Sequence, residues 1–350
     1  VSAAPFPRAR WKAVVFRHET LLLAVLVAEW CYFNAVGANF GHLDNTYDIV
    51  RHSVEFGLLA LVMTPVILTG GIDLSVGSLL GLSAIFFGKL WRDAGLSPAE
   101  AAACTLGLGA LGGGVNAVLI TELRLPPLIV TLGTYSLYRG LAEAITHGSD
   151  TFTNFPASFL FWGQERWLGL PAQAPIFIVV ALGVWLLVHR TTFGRDFRTI
   201  GFSPEGARYA GIPVERRLAL AYVLAGVVSA LAGIIYTARL GQARADAGTG
   251  YELYAITAVV LGGTSIFGGV GSVHGTLLGI AAIAVLDNGL VYTRLPREAA
   301  GVLTGLLLLL ALTGSVAPKL WANRRRRSPP QAPLPLPPAP PLPAPESKAP

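Results

Sequence analysis

Apolar residues run in blocks of membrane length, separated by short polar segments, along most of the chain. The blocks fall near 20–37, 50–69, 72–90, 98–120, 125–146, 172–190, 216–238, 252–267, 273–292 and 298–315. A hydrocarbon core of ~30 Å needs about 20 residues of helix. The pattern therefore predicts an all-α fold, a polytopic membrane bundle of about ten transmembrane helices. The block at 252–267 is the least regular, since Gly262 and Gly263 interrupt it.

Lysine and arginine mark the orientation, because cytoplasmic loops carry their excess. Arg8, Arg10, Lys12 and Arg17 place the N-terminus inside. Arg190, Arg195, Arg198, Arg208, Arg216 and Arg217 place the segment after the sixth block on the same side. Lys319 and the run Arg324 to Arg327 do the same for the C-terminus. Six crossings and an even total satisfy all three. The expected organisation is a cytoplasmic segment 1–19, a transmembrane domain 20–316 with a cytoplasmic loop at 191–215, and a basic, then Pro-rich, extended cytoplasmic tail at 317–350. Glu29, Trp30 and Tyr32 suit a retained first span better than a cleaved signal core, although Ala35-Val36-Gly37 resembles a cleavage site.

Composition agrees with the pattern. Apolar residues make up 53% and charged residues 13%, about half the charge of a soluble domain. The formal charge of +6 sits in the short connectors and reads as topology, not as a nucleic-acid surface. Cys31 and Cys104 lie inside apolar blocks, which supports neither a disulfide framework nor a zinc site. No Walker A string occurs, so this chain carries no ATP-hydrolysing loop. Gly107, Gly109 and Gly112 match a dinucleotide fingerprint, but with no strand before them they read as helix packing. Small residues four apart, at Gly77 and Gly81, at Gly271, Gly275 and Gly279, and at Gly301 and Gly305, likewise let backbones approach. No cofactor or metal is expected, and no catalytic group stands out.

Two polar regions carry candidate chemistry. In the Arg-rich loop, Ser203 suits a helix cap, Pro204 its first position, Glu205 the positive end of its dipole, and Gly211 a left-handed end. They predict a cytoplasmic helix of about two turns, too short to stand without a surface to dock on. Inside the apolar blocks, ionisable residues are costly and face cavities or partners. Arg139 and Glu143 are spaced as an i,i+4 pair. Asp73 follows Gly70-Gly71, where a helix can break and line a pathway. The stretch 66–81 also echoes 259–279, each with glycines followed by Val-Gly-Ser; an internal repeat and chance likeness of Gly-rich segments both account for it.

The run Gly70-Gly71-Ile72-Asp73-Leu74-Ser75-Val76-Gly77-Ser78 resembles the signature of permease subunits from ribose, rhamnose and autoinducer-2 ABC importers. Thr131-Leu132-Gly133-Thr134 with Arg139-Gly140, Ala247 to Leu253, and Val259 to Ser265 are similar to further motifs of that family. The resemblance spans roughly residues 50–315. It implies a non-catalytic inner-membrane subunit that works with four partners: a second permease chain, a cytoplasmic ATPase with two nucleotide-binding modules, an extracytoplasmic sugar-binding protein, and a monosaccharide substrate. It assigns Ser203 to Ile212, with Glu205, Gly206, Ala207, Arg208 and Gly211, to the coupling helix that meets the ATPase. The path would be lined by Asp73, Ser75, Asn116, Thr134, Thr264 and Asn288. Asp287 departs from the family pattern, where many relatives carry an amide. Two other readings remain at this point: a proton- or sodium-coupled transporter using Glu29, Asp73 or Asp287, and a membrane scaffold that recruits partners through its loop and tail.

Overall fold

The computed structural model describes residues 18–293 and, beyond them, 301–303, 305–307, 309–310 and 313. Among these residues regular structure is almost wholly helical. The helices are α1 (His18–Val36), α2 (Leu43–Leu68), α3 (Val76–Arg92), α4 (Pro98–Thr121), α5 (Pro127–Ile145), α6 (Ala157–Gln164), α7 (Ala174–Arg190), α8 (Thr192–Phe202), α9 (Pro204–Tyr209), α10 (Val214–Leu240), α11 (Tyr251–Leu261) and α12 (Val273–Tyr292). The exception is a two-residue hairpin between α6 and α7, in which Arg166 faces Pro171 and Trp167 faces Leu170.

Local chemistry fixes the ends. Ser97 and Glu100 form a reciprocal capping box at the start of α4, with Pro98 in the first turn. Gly241 closes α10 in the left-handed conformation, at φ 66°.

The core forms around α2, which is buried continuously from Val54 to Leu68. A helix apolar on every side belongs in the middle of a bundle. The long α10 lies against α2, α3 and α4. Its approach to α4 depends on glycine: a side chain at Gly226, Gly109 or Gly113 would collide with the facing backbone. Of the fingerprint glycines of α4, Gly109 and Gly112 are thus packing residues, Gly112 against the Leu79 side chain, while Gly107 has nothing within 4 Å. Gly77, Gly81, Gly275 and Gly279 also face backbone, whereas nothing lies within 4 Å of Gly301 or Gly305. By contrast, α1 rests chiefly on α12 and leaves most of its surface outward.

Among the described residues, five helices (α1, α2, α4, α10 and α12) are long and apolar enough to cross a membrane. The α7–α8 pair, bent by 68°, would make a sixth. Three expected boundaries are corrected. The block at 72–90 becomes helical only at Val76, because Gly70 turns left-handed at φ 83° and the chain stays outside any helix through Leu74. The block at 252–267 is not one span. Its helix stops at Leu261, and Gly263, Gly268 and Gly269, all with positive φ, carry the chain through a non-helical turn. The loop expected at 191–215 holds two helices where one was expected, α8 preceding α9 and burying Gly194, Phe197 and Ile200. The last block, 298–315, lies partly outside the described residues and is helical where described. The basic N-terminal residues and the Pro-rich tail lie outside them.

The echo between 66–81 and 259–279 has a structural counterpart. Both stretches run helix, glycine break, helix, and the two breaks touch where the Gly269 N–H donates to the Leu68 carbonyl at 2.9 Å.

Candidate functional site

Four of the six pathway candidates meet in one buried chain of hydrogen bonds. The Asp73 carboxylate accepts the Ser75 backbone N–H at 2.9 Å and its hydroxyl at 2.6 Å. The Asn116 amide donates to Ser75 Oγ at 2.8 Å, and the Thr134 hydroxyl donates to Asn116 Oδ1 at 2.7 Å. Thr131 also donates to the Ile72 carbonyl at 3.1 Å. The start of α3 is thereby tied to α4 and α5. All four side chains are buried, so the network satisfies itself and fixes the break after α2. It does not line an open channel. Thr264 sits apart in the turn after α11, buried against Gly271, with no hydrogen-bond partner for its hydroxyl.

A second break faces the first. The chain from Ala245 to Gly250 lies on α3, where a side chain at Gly77 would collide with the Glu252 carboxylate and one at Gly81 would meet the Ala247 carbonyl. Arg139 donates to the Ala245 and Ala247 carbonyls. It makes no ion pair with Glu143, which overturns the i,i+4 expectation. The re-entrant backbone offers carbonyls that would otherwise be unsatisfied, a stronger claim on a buried guanidinium than a carboxylate free to reach solvent.

Asn288 borders a cleft of about 760 Å³ between the first half of α2 and the end of α12. Asp48, His52, Asp287, Phe56 and Tyr254 share its wall. Behind it lies a buried ion pair, Arg239 Nε to Glu55 at 2.5 Å, with Arg239 also 3.2 Å from His52 Nδ1. Guanidinium nitrogens only donate, so His52 Nδ1 is the acceptor. The pair joins α10 to α2, and removing one partner would strand a buried charge, at a cost of roughly 3–5 kcal/mol. A smaller cavity of about 420 Å³ between α1 and α12 holds Glu29.

At the opposite end, α9 forms as its sequence predicts. Ser203 Oγ accepts the Gly206 N–H at 3.0 Å, Gly211 is left-handed at φ 79°, and the Ile212 N–H reaches back to the Ala207 carbonyl at 3.0 Å. Ala207 is fully buried with Ile200 and Val214, and Ile212 packs on that cluster. Glu205 and Gly206 face outward. Arg208 pairs with Glu215 of α10 at 2.9 Å, and Arg217 with Asp196 of α8 at 2.7 Å. The α8–α9 unit is thus seated on the start of α10.

Glu55 and Arg239 escaped the sequence reading. Glu55 lies inside an expected span, and an intramembrane carboxylate is by itself a signal for a partner. Arg239 falls just past the expected end of its block, where a basic residue looks ordinary.

Residues 45–312 match the family described as branched-chain amino acid transport system / permease component. The chain is 38% identical over 321 residues to the autoinducer 2 import system permease protein LsrD of Yersinia enterocolitica, covering 89% of this chain and 97% of that protein. It is 37% identical over 322 residues to the protein of the same name from Escherichia coli K12, again covering 89% and 97%. No solved structure matches.

Proposed function

Since this chain belongs to the permease family of ATP-driven importers, as a membrane subunit without catalytic chemistry of its own, we propose that it conducts autoinducer-2 or a related small sugar. An importer of this kind works with an ATPase and a binding protein. In our reading the chain crosses the inner membrane ten times with both termini cytoplasmic, pairs with a second permease chain, and couples to a two-module ATPase through α9. The observation that carries the substrate reading is the cleft beside Asn288. Its carboxylates, amide and aromatic rings are the groups that bind vicinal hydroxyls and the apolar faces of a sugar.

In this mechanism the binding protein delivers substrate to the extracytoplasmic mouth. Closure of the ATPase displaces α9, and α10 carries the movement to the Arg239–Glu55 pair behind the cleft. The buried Asp73 network holds the α2–α3 break rigid while the helices around it tilt. Selectivity rests mainly on the binding protein, because a path that bound sugar tightly would not release it.

Uptake of labelled autoinducer-2, and separately of ribose and rhamnose, into proteoliposomes holding the whole importer tests the reading. Uptake should require internal ATP and external binding protein. Asn288→Leu and Asp287→Leu should each lower it about tenfold, the loss of one to two sugar hydrogen bonds, with complex assembly unchanged. Wild-type uptake by both variants would remove the cleft from the path. Uptake by the lone chain on a proton gradient would favour a secondary transporter.

A further inference from the structure

The non-helical turn after α11 lies against the end of α8, the helix that leads into α9. It is compact: the Ser265 N–H donates to the Val270 carbonyl at 2.8 Å, and the Gly268 N–H to the Ser265 carbonyl at 2.9 Å. Glycine welds it to two neighbours. A side chain at Gly201 would collide with the Leu68 carbonyl and with Gly269, one at Gly268 would lie 2.8 Å from the Gly70 nitrogen, and one at Gly269 would meet the Phe202 ring at 2.9 Å. Arg198 of α8 adds a bond to the Gly271 carbonyl at 3.4 Å. The end of α8, the break after α2 and this turn therefore form one junction.

The turn nevertheless leaves apolar side chains outward. Phe267 is 67% exposed and Val270 54%, next to Phe202 at 71%. Phe202 is followed directly by Ser203, the cap of α9, and on that helix Tyr209 is 94% exposed. Lipid is a poor cover for the turn, because irregular backbone does not face the hydrocarbon region. The arginines of α8 also put this end at the cytoplasm. Exposed apolar side chains gathered at such a junction mark a protein contact.

We propose that the Ser265–Val270 turn is a second docking surface for the ATPase, linked to α9 through Phe202. Phe267 contacts the ATPase, and the glycine junction passes that contact to the break that Asp73 holds. The inference rests on the reading of α9 as the coupling helix.

A photo-reactive benzoylphenylalanine in place of Phe267, and in a separate chain in place of Tyr209, tests it in membranes carrying the assembled importer. Both positions should cross-link to the ATPase chain, identified by its peptides. A cross-link at 209 with none at 267, or with only lipid adducts at 267, overturns the second surface and leaves the coupling helix standing. One at 267 alone overturns α9 as the coupling helix and, with it, the two-part surface proposed. Cross-links at neither position overturn both. As a second measurement, Phe267→Asp should cut ATPase co-purification at least tenfold while membrane levels of the chain hold, and Phe267→Leu should retain it. Retention by Phe267→Asp at the wild-type level also overturns the proposal.

Discussion

Asp73 is an acceptor twice over, taking both the backbone N–H and the hydroxyl of Ser75, and that decides how it tolerates change. Asparagine keeps an acceptor oxygen of the same reach. Leucine removes it and leaves the Ser75 donors buried without a partner, a penalty of about 1–3 kcal/mol each. Asp73→Asn should keep most uptake and Asp73→Leu should lose most of it, measured in vesicles at matched protein level. An Asn variant that assembles normally but cannot transport would point instead to a proton carried on the carboxylate. The sequence made this residue legible, because a carboxylate after Gly70-Gly71 in an apolar block has few explanations. Its partners Asn116 and Thr134 were legible as polar residues inside spans, but not as a network. Glu55 and Arg239 were less legible, since their bond joins residues 184 positions apart, and no local pattern announces it.

Among the elements, α9 tests most sharply. It was readable to the residue because cap, proline, first-turn acid and left-handed glycine each leave a local mark. Gly211→Val should hurt most, since a β-branched side chain resists φ 79°. Ser203→Ala costs about 1 kcal/mol and should be mild, the more so because Ala207 anchors the helix from beneath. Glu205→Arg reverses an outward charge at the helix start and at the docking face we propose for α9, and should be severe. The readout is ATPase pull-down and uptake for each variant, with normal membrane insertion. Full function in both Gly211→Val and Glu205→Arg would take the coupling role away from α9. The breaks around α11 were harder to read, and the reason is physical. Glycine in an apolar run signals either a close helix contact or a broken helix. Gly275 and Gly279 turned out to be the first, Gly263 and Gly268 the second. Only the packed structure separates the two.

For the whole molecule the sharpest expectation is sidedness. Ser203 and Thr153 are both exposed and lie toward opposite ends of α10: Phe152 bridges Ala243 just past its last residue, and Ala207, on the helix that Ser203 caps, packs on Val214 at its start. Single cysteines placed there, after Cys31 and Cys104 are replaced, should label from the cytoplasmic and outer faces respectively with a membrane-impermeant reagent. Labelling from one side would overturn the ten-crossing arrangement. The peripheral seat of α1 bears on how such a chain is made. Its main contact is α12, synthesised nearly last, so α1 enters the bilayer with no partner and waits there while the intervening helices insert. It must therefore be stable alone in lipid, as its mostly outward apolar surface allows. Its docking on α12 then becomes a late step of biogenesis, one that a chain stalled before α12 would never reach.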